Sequence, residues 1–150
     1  GELKPKVRAL LPLEILVDVG DLLSRHALAR DRQVEIRPAP EEVIHTDPEL
    51  LSRIVLNMAV NAVEASFTGE TITLSARLEG PEIRFMVHNP GSIPEDIRSR
   101  IFQRSFSTKG STGRGLGTYA MKLFGEEVLH GKVGFDTGPE GITFWIRIAR

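Results

Sequence analysis

Apolar positions along the 150-residue chain recur at two spacings, and the switches between them outline the elements. From Leu13 to Arg32 the spacing is helical: Leu13, Leu16, Leu23 and Ala27 fall near one side, and Pro12 suits the helix start. Gln33 to Arg37 alternates and predicts a strand, which Pro38, Ala39 and Pro40 interrupt; Val43-Ile44-His45 is expected as its short partner. Thr46 or Asp47 caps a second helix that accommodates Pro48 in its first turn. Leu51, Ile54, Val55, Met58, Ala62 and Ala65 form one stripe of it, and Leu56, Val60 and Val63 add apolar surface elsewhere. That helix should therefore be buried on more than one side, and Phe67-Thr68-Gly69 ends it. Thr71–Glu79 and Glu82–Asn89 alternate around Gly80-Pro81 and predict a hairpin. A short helix over Pro94–Phe102, a polar loop over Ser105–Arg114 and a helix over Leu116–Leu129 follow. Strands near Lys132–Thr137 and Ile142–Ile148, turning through Gly138-Pro139-Glu140-Gly141, close the chain.

Hairpins outnumber crossovers in this order. The expected fold is α+β: a two-layer α/β sandwich with a mixed, mostly antiparallel sheet and its helices on one face. The length suits one domain over residues 1–150, and Gly1-Glu2-Leu3-Lys4 reads as the cut edge of a longer protein. Nineteen basic against twenty acidic residues leave a net charge of −1, so no global attraction to nucleic acid or anionic membrane is expected. The absence of cysteine excludes disulfides, thiolate metal sites and a cysteine nucleophile. Apolar runs such as Ala9-Leu10-Leu11-Pro12-Leu13 are far shorter than the ~20 residues of a membrane span.

Three clusters could carry chemistry. Asn57 and Asn61 lie one helical turn apart on one face, at the border of the apolar stripe. An amide oxygen is a hard neutral ligand suited to Mg²⁺, although two polar residues on a helix edge would look the same. The second cluster is Val87-His88-Asn89-Pro90-Gly91-Ser92-Ile93-Pro94, where a strand ends in a polar side chain before a sharp turn. Taken alone it is equally an ordinary turn. The third runs from Ser107 to Thr118, with Lys109, Gly113, Arg114, Gly115, Leu116 and Gly117, a glycine-rich loop feeding a helix start. Backbone N–H groups and two cations there suit a phosphate better than a plain linker would. Gly113-x-Gly115-x-Gly117 is not the dinucleotide pattern, and Gly131-Lys132 lacks the spacing and the Ser or Thr of a P-loop.

The succession N-x-x-x-N, strand-end N-P-G, S-F-S-T-K and G-x-G-L-G resembles the catalytic ATP-binding domain of sensor histidine kinases, in the GHKL group with DNA gyrase, the heat-shock ninety chaperones and the MutL repair proteins. The resemblance covers about residues 10–148. Asp47–Ser66 resembles the N box, Ile101–Lys109 the F box, and Gly113, Gly115, Leu116 and Gly117 the second glycine box of an ATP lid. It implies ATP and Mg²⁺ as cofactors, with Asn61 as the metal ligand and Asn57 beside it. Lys109 would act in catalysis, and Lys109, Arg114, Gly113 to Gly117 and Thr118 would receive the triphosphate, with Arg104 a weaker candidate. Phe102 and Phe106 suit packing better. Asn89, Gly91 and Ile93 would line the adenine pocket. The first glycine box is D-x-G-x-G in the family. Strand alternation puts Asn89 in the Asp place, with His88 as an alternative that would break the alternation, and leaves the second glycine missing, so a neutral acceptor replaces a charged one.

The implied activity is transfer of the γ-phosphate of Mg-ATP to a histidine on a separate dimerisation and phosphoacceptor domain, as in two-component signalling. Hydrolytic members of the group carry Glu where Asn57 stands. An amide cannot act as a general base, so slow hydrolysis at most is expected. None of the histidines His26, His45, His88 and His130 has the H-E/D-x-x-x-P context of a phosphoacceptor. The implied partners are therefore the protein's own acceptor helices and a response regulator, with no nucleic acid and no direct membrane contact. The isolated domain should be a monomer. The need for ATP implies a cytoplasmic site, compatible with a membrane-anchored parent. Two rivals stand beside this: a serine kinase of the anti-sigma type on the same fold, and a non-catalytic nucleotide-binding module.

Overall fold

The computed structural model describes residues 4–26, 29–90 and 124–150. In chain order these form β1 (Arg8–Leu10), α1 (Pro12–Ser24), β2 (Gln33–Ile36), β3 (Ile44–Thr46), α2 (Pro48–Glu64), β4 (Thr71–Glu79) and β5 (Glu82–Asn89). A π-helical turn at Phe124–Val128 precedes β6 (Lys132–Gly138) and β7 (Gly141–Ala149). The expected short helix over Pro94–Phe102, the Ser105–Arg114 loop and the start of the Leu116–Leu129 helix lie outside the described residues. So do Gly91, Ile93, Arg104, Lys109, Gly113, Arg114, Gly115, Leu116, Gly117 and Thr118.

Five strands make one sheet in the order β2-β4-β5-β7-β6, and β1 pairs with β3 in a separate two-stranded sheet. Within the larger sheet only β2 and β4 are parallel; the other pairs are antiparallel. The β2-to-β4 connection runs through β3 and α2, since parallel neighbours need a crossover rather than a tight turn. Alternation then sorts the faces. Ile72, Leu74 and Ala76 of β4, Ile83, Phe85 and Val87 of β5, and Ile142, Phe144, Ile146 and Ile148 of β7 are buried. They share one core with Ile15, Leu16, Val19 and Leu23 of α1 and Leu51, Ile54, Val55, Met58 and Ala62 of α2. The two-layer mixed sandwich expected from the sequence is the observed fold.

The opposite sheet face bears cations in register: Arg77 lies across from Arg84, Arg84 from Arg147, and Arg147 from Lys132. Two carboxylates answer them. Glu79 Oε2 lies 2.7 Å from Arg77 Nε and 2.8 Å from Arg84 Nε, and Glu82 Oε1 lies 3.2 Å from Arg147 Nε. The Arg84 guanidinium also sits 4.4 Å from the centre of the Trp145 ring, a cation–π contact.

Three expectations need correction. First, α1 stops at Ser24 rather than Arg32. The Ser24 hydroxyl turns back to donate to the Gly20 carbonyl at 2.7 Å, competing with continuation of the helix. Past that end, Ala29 N–H is bonded to the His26 carbonyl at 3.0 Å and Arg32 N–H to that of Ala29 at 3.0 Å. Second, the short strand is Ile44–Thr46 rather than Val43–His45, because Ile44 and Thr46 face inward while His45 faces out. Third, its partner is β1 and not β2: Leu10 lies opposite Ile44, and β1 itself was unforeseen. Of the Leu116–Leu129 helix, the described part is the single π-helical turn. Among the described residues no helix is long and apolar enough to cross a membrane.

Candidate functional site

The site is built around the carboxyl end of α2 and the carboxyl end of β5. Asp47 starts α2: its Oδ1 accepts from the Leu50 N–H at 3.1 Å, and its Oδ2 accepts from the Lys6 N–H at 2.7 Å. Asp47, not Thr46, is therefore the cap. From that start the helical repeat carries Asn57 to a half-buried position and Asn61 into the buried set, only 4% exposed. Neither asparagine is without a polar partner. Asn61 sits deeper than the border of the apolar stripe, where the sequence pattern puts it.

At the helix end, the Ala65 N–H donates to the Asn61 carbonyl at 3.1 Å. The last carbonyls of a helix have no partner within it and must find one elsewhere. Three side chains serve carbonyls in and just past the last turn here. Ser66 Oγ donates to the Val63 carbonyl at 2.6 Å, Arg32 Nη2 donates to the Ser66 carbonyl at 2.8 Å, and Asn89 Nδ2 donates to the Ala65 carbonyl at 3.1 Å. Arg32 also holds Ser66 Oγ through Nε at 2.9 Å.

Asn89 is the last residue of β5, opposite Ile142 of β7, and it is fully buried at 0% exposure. Alternation with Phe85 and Val87 places it on the helix-facing side, as expected. His88 lies on the other side, where its Nδ1 shares a 2.9 Å hydrogen bond with Thr143 Oγ1. While Nδ2 is engaged, Asn89 Oδ1 is buried with no hydrogen-bond partner among the described residues. A buried acceptor in that condition costs roughly 1–3 kcal/mol, so its presence marks a place where something donates.

The strand end is fixed from the other side by Gly141, at φ +118°, a conformation that side chains other than glycine rarely adopt. A Cβ there would run into the Asn89 carbonyl oxygen and come within 2.8 Å of Pro90 Cα. Gly141, Ala65, Ser66 and Arg32 did not emerge as site residues from the sequence. The only sequence signal among them is a glycine in a turn, which by itself fixes no site.

Of the site residues expected from the sequence, Asn57, Asn61 and Asn89 are described, and Ala65 links the last two through hydrogen bonds to both. Among the described residues no cluster of three or more His, Asp or Glu could hold a metal ion.

A family model described as "Histidine kinase-, DNA gyrase B-, and HSP90-like ATPase" matches residues 46–150. The "Sensor protein CseC" of Streptomyces coelicolor is 32% identical over 102 residues, which are 66% of this chain and 19% of that protein. The chain therefore spans less than a fifth of that relative's length. In fold, the catalytic domain of histidine kinase ThkA superposes with a TM-score of 0.76 over 96% of this chain and 97% of that one, at 20% identity. Full-length ShkA in complex with AMPPNP superposes with a TM-score of 0.73 at 27% identity, over 99% of this chain and 32% of that one.

Proposed function

The chain belongs to the histidine kinase-, DNA gyrase B- and HSP90-like ATPase family, and on that premise we propose that it is the catalytic domain of a sensor histidine kinase: it binds Mg-ATP and donates the γ-phosphate to a histidine outside residues 1–150. The observation that carries this is the buried, unpartnered Oδ1 of Asn89, joined through Ala65 to the helix that bears Asn61. An acceptor at the end of a strand fits the exocyclic amino group of adenine. A buried amide one helical turn beyond Asn57 fits a hard cation that keeps most of its waters.

When bound, Mg²⁺ supplies charge neutralisation across the phosphates. The chain's own residues supply position, the larger part of what phosphoryl transfer needs. Asn89 orients the base, and Asn61, with Asn57 beside it, holds the metal. Lys109, as the catalytic cation, and the backbone and side chains of Gly113, Arg114, Gly115, Leu116, Gly117 and Thr118 receive the triphosphate, while Gly91 and Ile93 complete the base pocket. These assignments rest on the match to the family motifs. Asn57 offers no base to activate water, which favours transfer to a protein acceptor over hydrolysis. The acceptor helices of the parent protein and a response regulator are the partners this reading requires, and a cytoplasmic site follows from the use of ATP.

The test is calorimetric titration of AMPPNP into this chain with and without Mg²⁺, alongside the guanine analogue and Asn61→Ala. Adenine-selective binding that weakens when either Mg²⁺ or Asn61 is removed is the expected outcome. Absence of saturable binding to the folded chain at millimolar nucleotide would leave the non-catalytic module as the better description.

A further inference from the structure

Asn89 combines two conditions in one amide: Nδ2 is committed to the Ala65 carbonyl at 3.1 Å, and Oδ1 is fully buried with nothing to accept from. A carbonyl oxygen only accepts, so the atom facing Ala65 must carry hydrogen. That requirement fixes the amide in one orientation. We propose that the end of α2 locks the Asn89 amide in this orientation, and that the site is built for a neutral asparagine. An aspartate, which the corresponding family motif carries, would bind the base worse here, not better. The proposal rests on the adenine-binding reading above and adds to it what holds the side chain and why it is uncharged.

The chemistry follows from counting donors. With Nδ2 held, Oδ1 is the free atom and can only accept. Adenine presents an amino donor at the edge where guanine presents a carbonyl acceptor, so guanine would set oxygen against oxygen. Turning the amide over would suit guanine only by setting Oδ1 against the Ala65 carbonyl. An ionised aspartate has no hydrogen to give. One of its oxygens would face the Ala65 carbonyl, and its charge would lie at a position with 0% exposure. Protonation would restore a donor towards Ala65 and leave the second oxygen to accept.

The ionisable groups around this position do not supply a counter-charge among the described residues. On α2 the nearest in sequence is Glu64, itself an anion, and beside the helix end Arg32 is committed to Ser66. His88 of β5 is bonded to Thr143 on the other sheet face. β7 offers Ile142 and Thr143, and β4 offers Ile72 and Thr73, all uncharged.

The experiment compares this chain with its Asn89→Asp and Asn89→Ser variants at pH 8 and pH 5.5. It reads the AMPPNP dissociation constant with Mg²⁺ and, separately, thermal melting without nucleotide. At pH 8 the Asp variant should bind roughly 10- to 100-fold more weakly than wild type and melt lower. Both deficits should shrink at pH 5.5, taken as ratios to wild type so that groups common to both cancel. An Asp variant folded only at pH 5.5 is the extreme form of the same result. The Ser variant, with a neutral donor, should melt with no such pH dependence yet lose the preference for adenine over guanine. An Asp variant that binds as tightly as wild type at pH 8, or deficits that are equal at the two pH values, overturns the proposal. If wild type shows no adenine preference, the kinase reading falls, while the nucleotide-free melting still decides whether Ala65 locks the side chain.

Discussion

At the carboxyl end of α2, each polar side chain has its own carbonyl, Ser66 for Val63, Arg32 for Ser66 and Asn89 for Ala65, and one acceptor is left over. Across the open sheet face the groups are held by charge rather than one to one. Glu79 meets Arg77, Arg84 and Arg147, Glu82 also meets Arg147, and Trp145 lies under the Arg84 guanidinium. The first region is buried, directional and incomplete by one donor. The second is partly exposed and multiply connected by charge, although Arg84 Nε, Arg147 Nε and Trp145 Nε1 are buried there without a well-formed hydrogen bond. A lone buried acceptor needs a donor that water cannot supply, whereas an ion cluster spreads its charge over several partners and tolerates imperfect hydrogen bonds.

Substitutions can break this contrast, beginning with the largest effect. Gly141→Ala forces a side chain into a positive-φ position against the backbone of Asn89 and Pro90. It should cost about 2–3 kcal/mol of stability, read from urea unfolding, and weaken nucleotide binding as well, because the strand end moves. A stability loss with unchanged affinity would separate the turn from the site. Next, Arg32→Met leaves the Ser66 carbonyl without its donor. We expect a loss of about 1–2 kcal/mol by the same measurement. The smallest change at neutral pH belongs to Glu79→Gln on the open face.

That last case is sharpened by pH. The guanidinium groups of Arg84 and Arg77 beside Glu79 hold its carboxyl below the ordinary value of 4.5. A depressed carboxylate stabilises the fold fully above its unfolded value and loses that contribution as pH falls through its folded value. Wild type should therefore lose stability on acidification below about pH 4.5 more steeply than Glu79→Gln, followed by urea midpoints from pH 7 to pH 3. Identical acid slopes would show that the ion cluster contributes nothing measurable.

The sequence made some of this legible and hid the rest for physical reasons. The β4–β5 and β6–β7 hairpins were readable because long alternating runs flank Gly80-Pro81 and Pro139-Glu140. α2 was readable because its stripe begins at a capping Asp47. β1 and β3 span three residues each, too few to show a period, so nothing in the pattern announces β1 or pairs β3 with it. The end of α1 was missed because Ser24 stops the helix through a side-chain bond, where the sequence has no glycine or proline to announce it. At the site, Asn57, Asn61 and Asn89 were readable as residue types. Ala65 acts through its backbone carbonyl, which every residue possesses, so no residue pattern could single it out.

The four-residue strand β2 leaves one further mark on the molecule. Among the described residues it pairs with β4 on one side only, and its other edge presents backbone groups of the kind that can template another molecule's strand. That edge is kept short. Gln33 and Glu35 are exposed along it, Arg37 and Glu35 form an ion pair at 2.7 Å, and Pro38 and Pro40 follow at once and have no N–H to extend a ladder. Growth of the sheet into a neighbouring copy is thus discouraged at this margin by chain chemistry alone, a safeguard against aggregation written into the residues that end the strand.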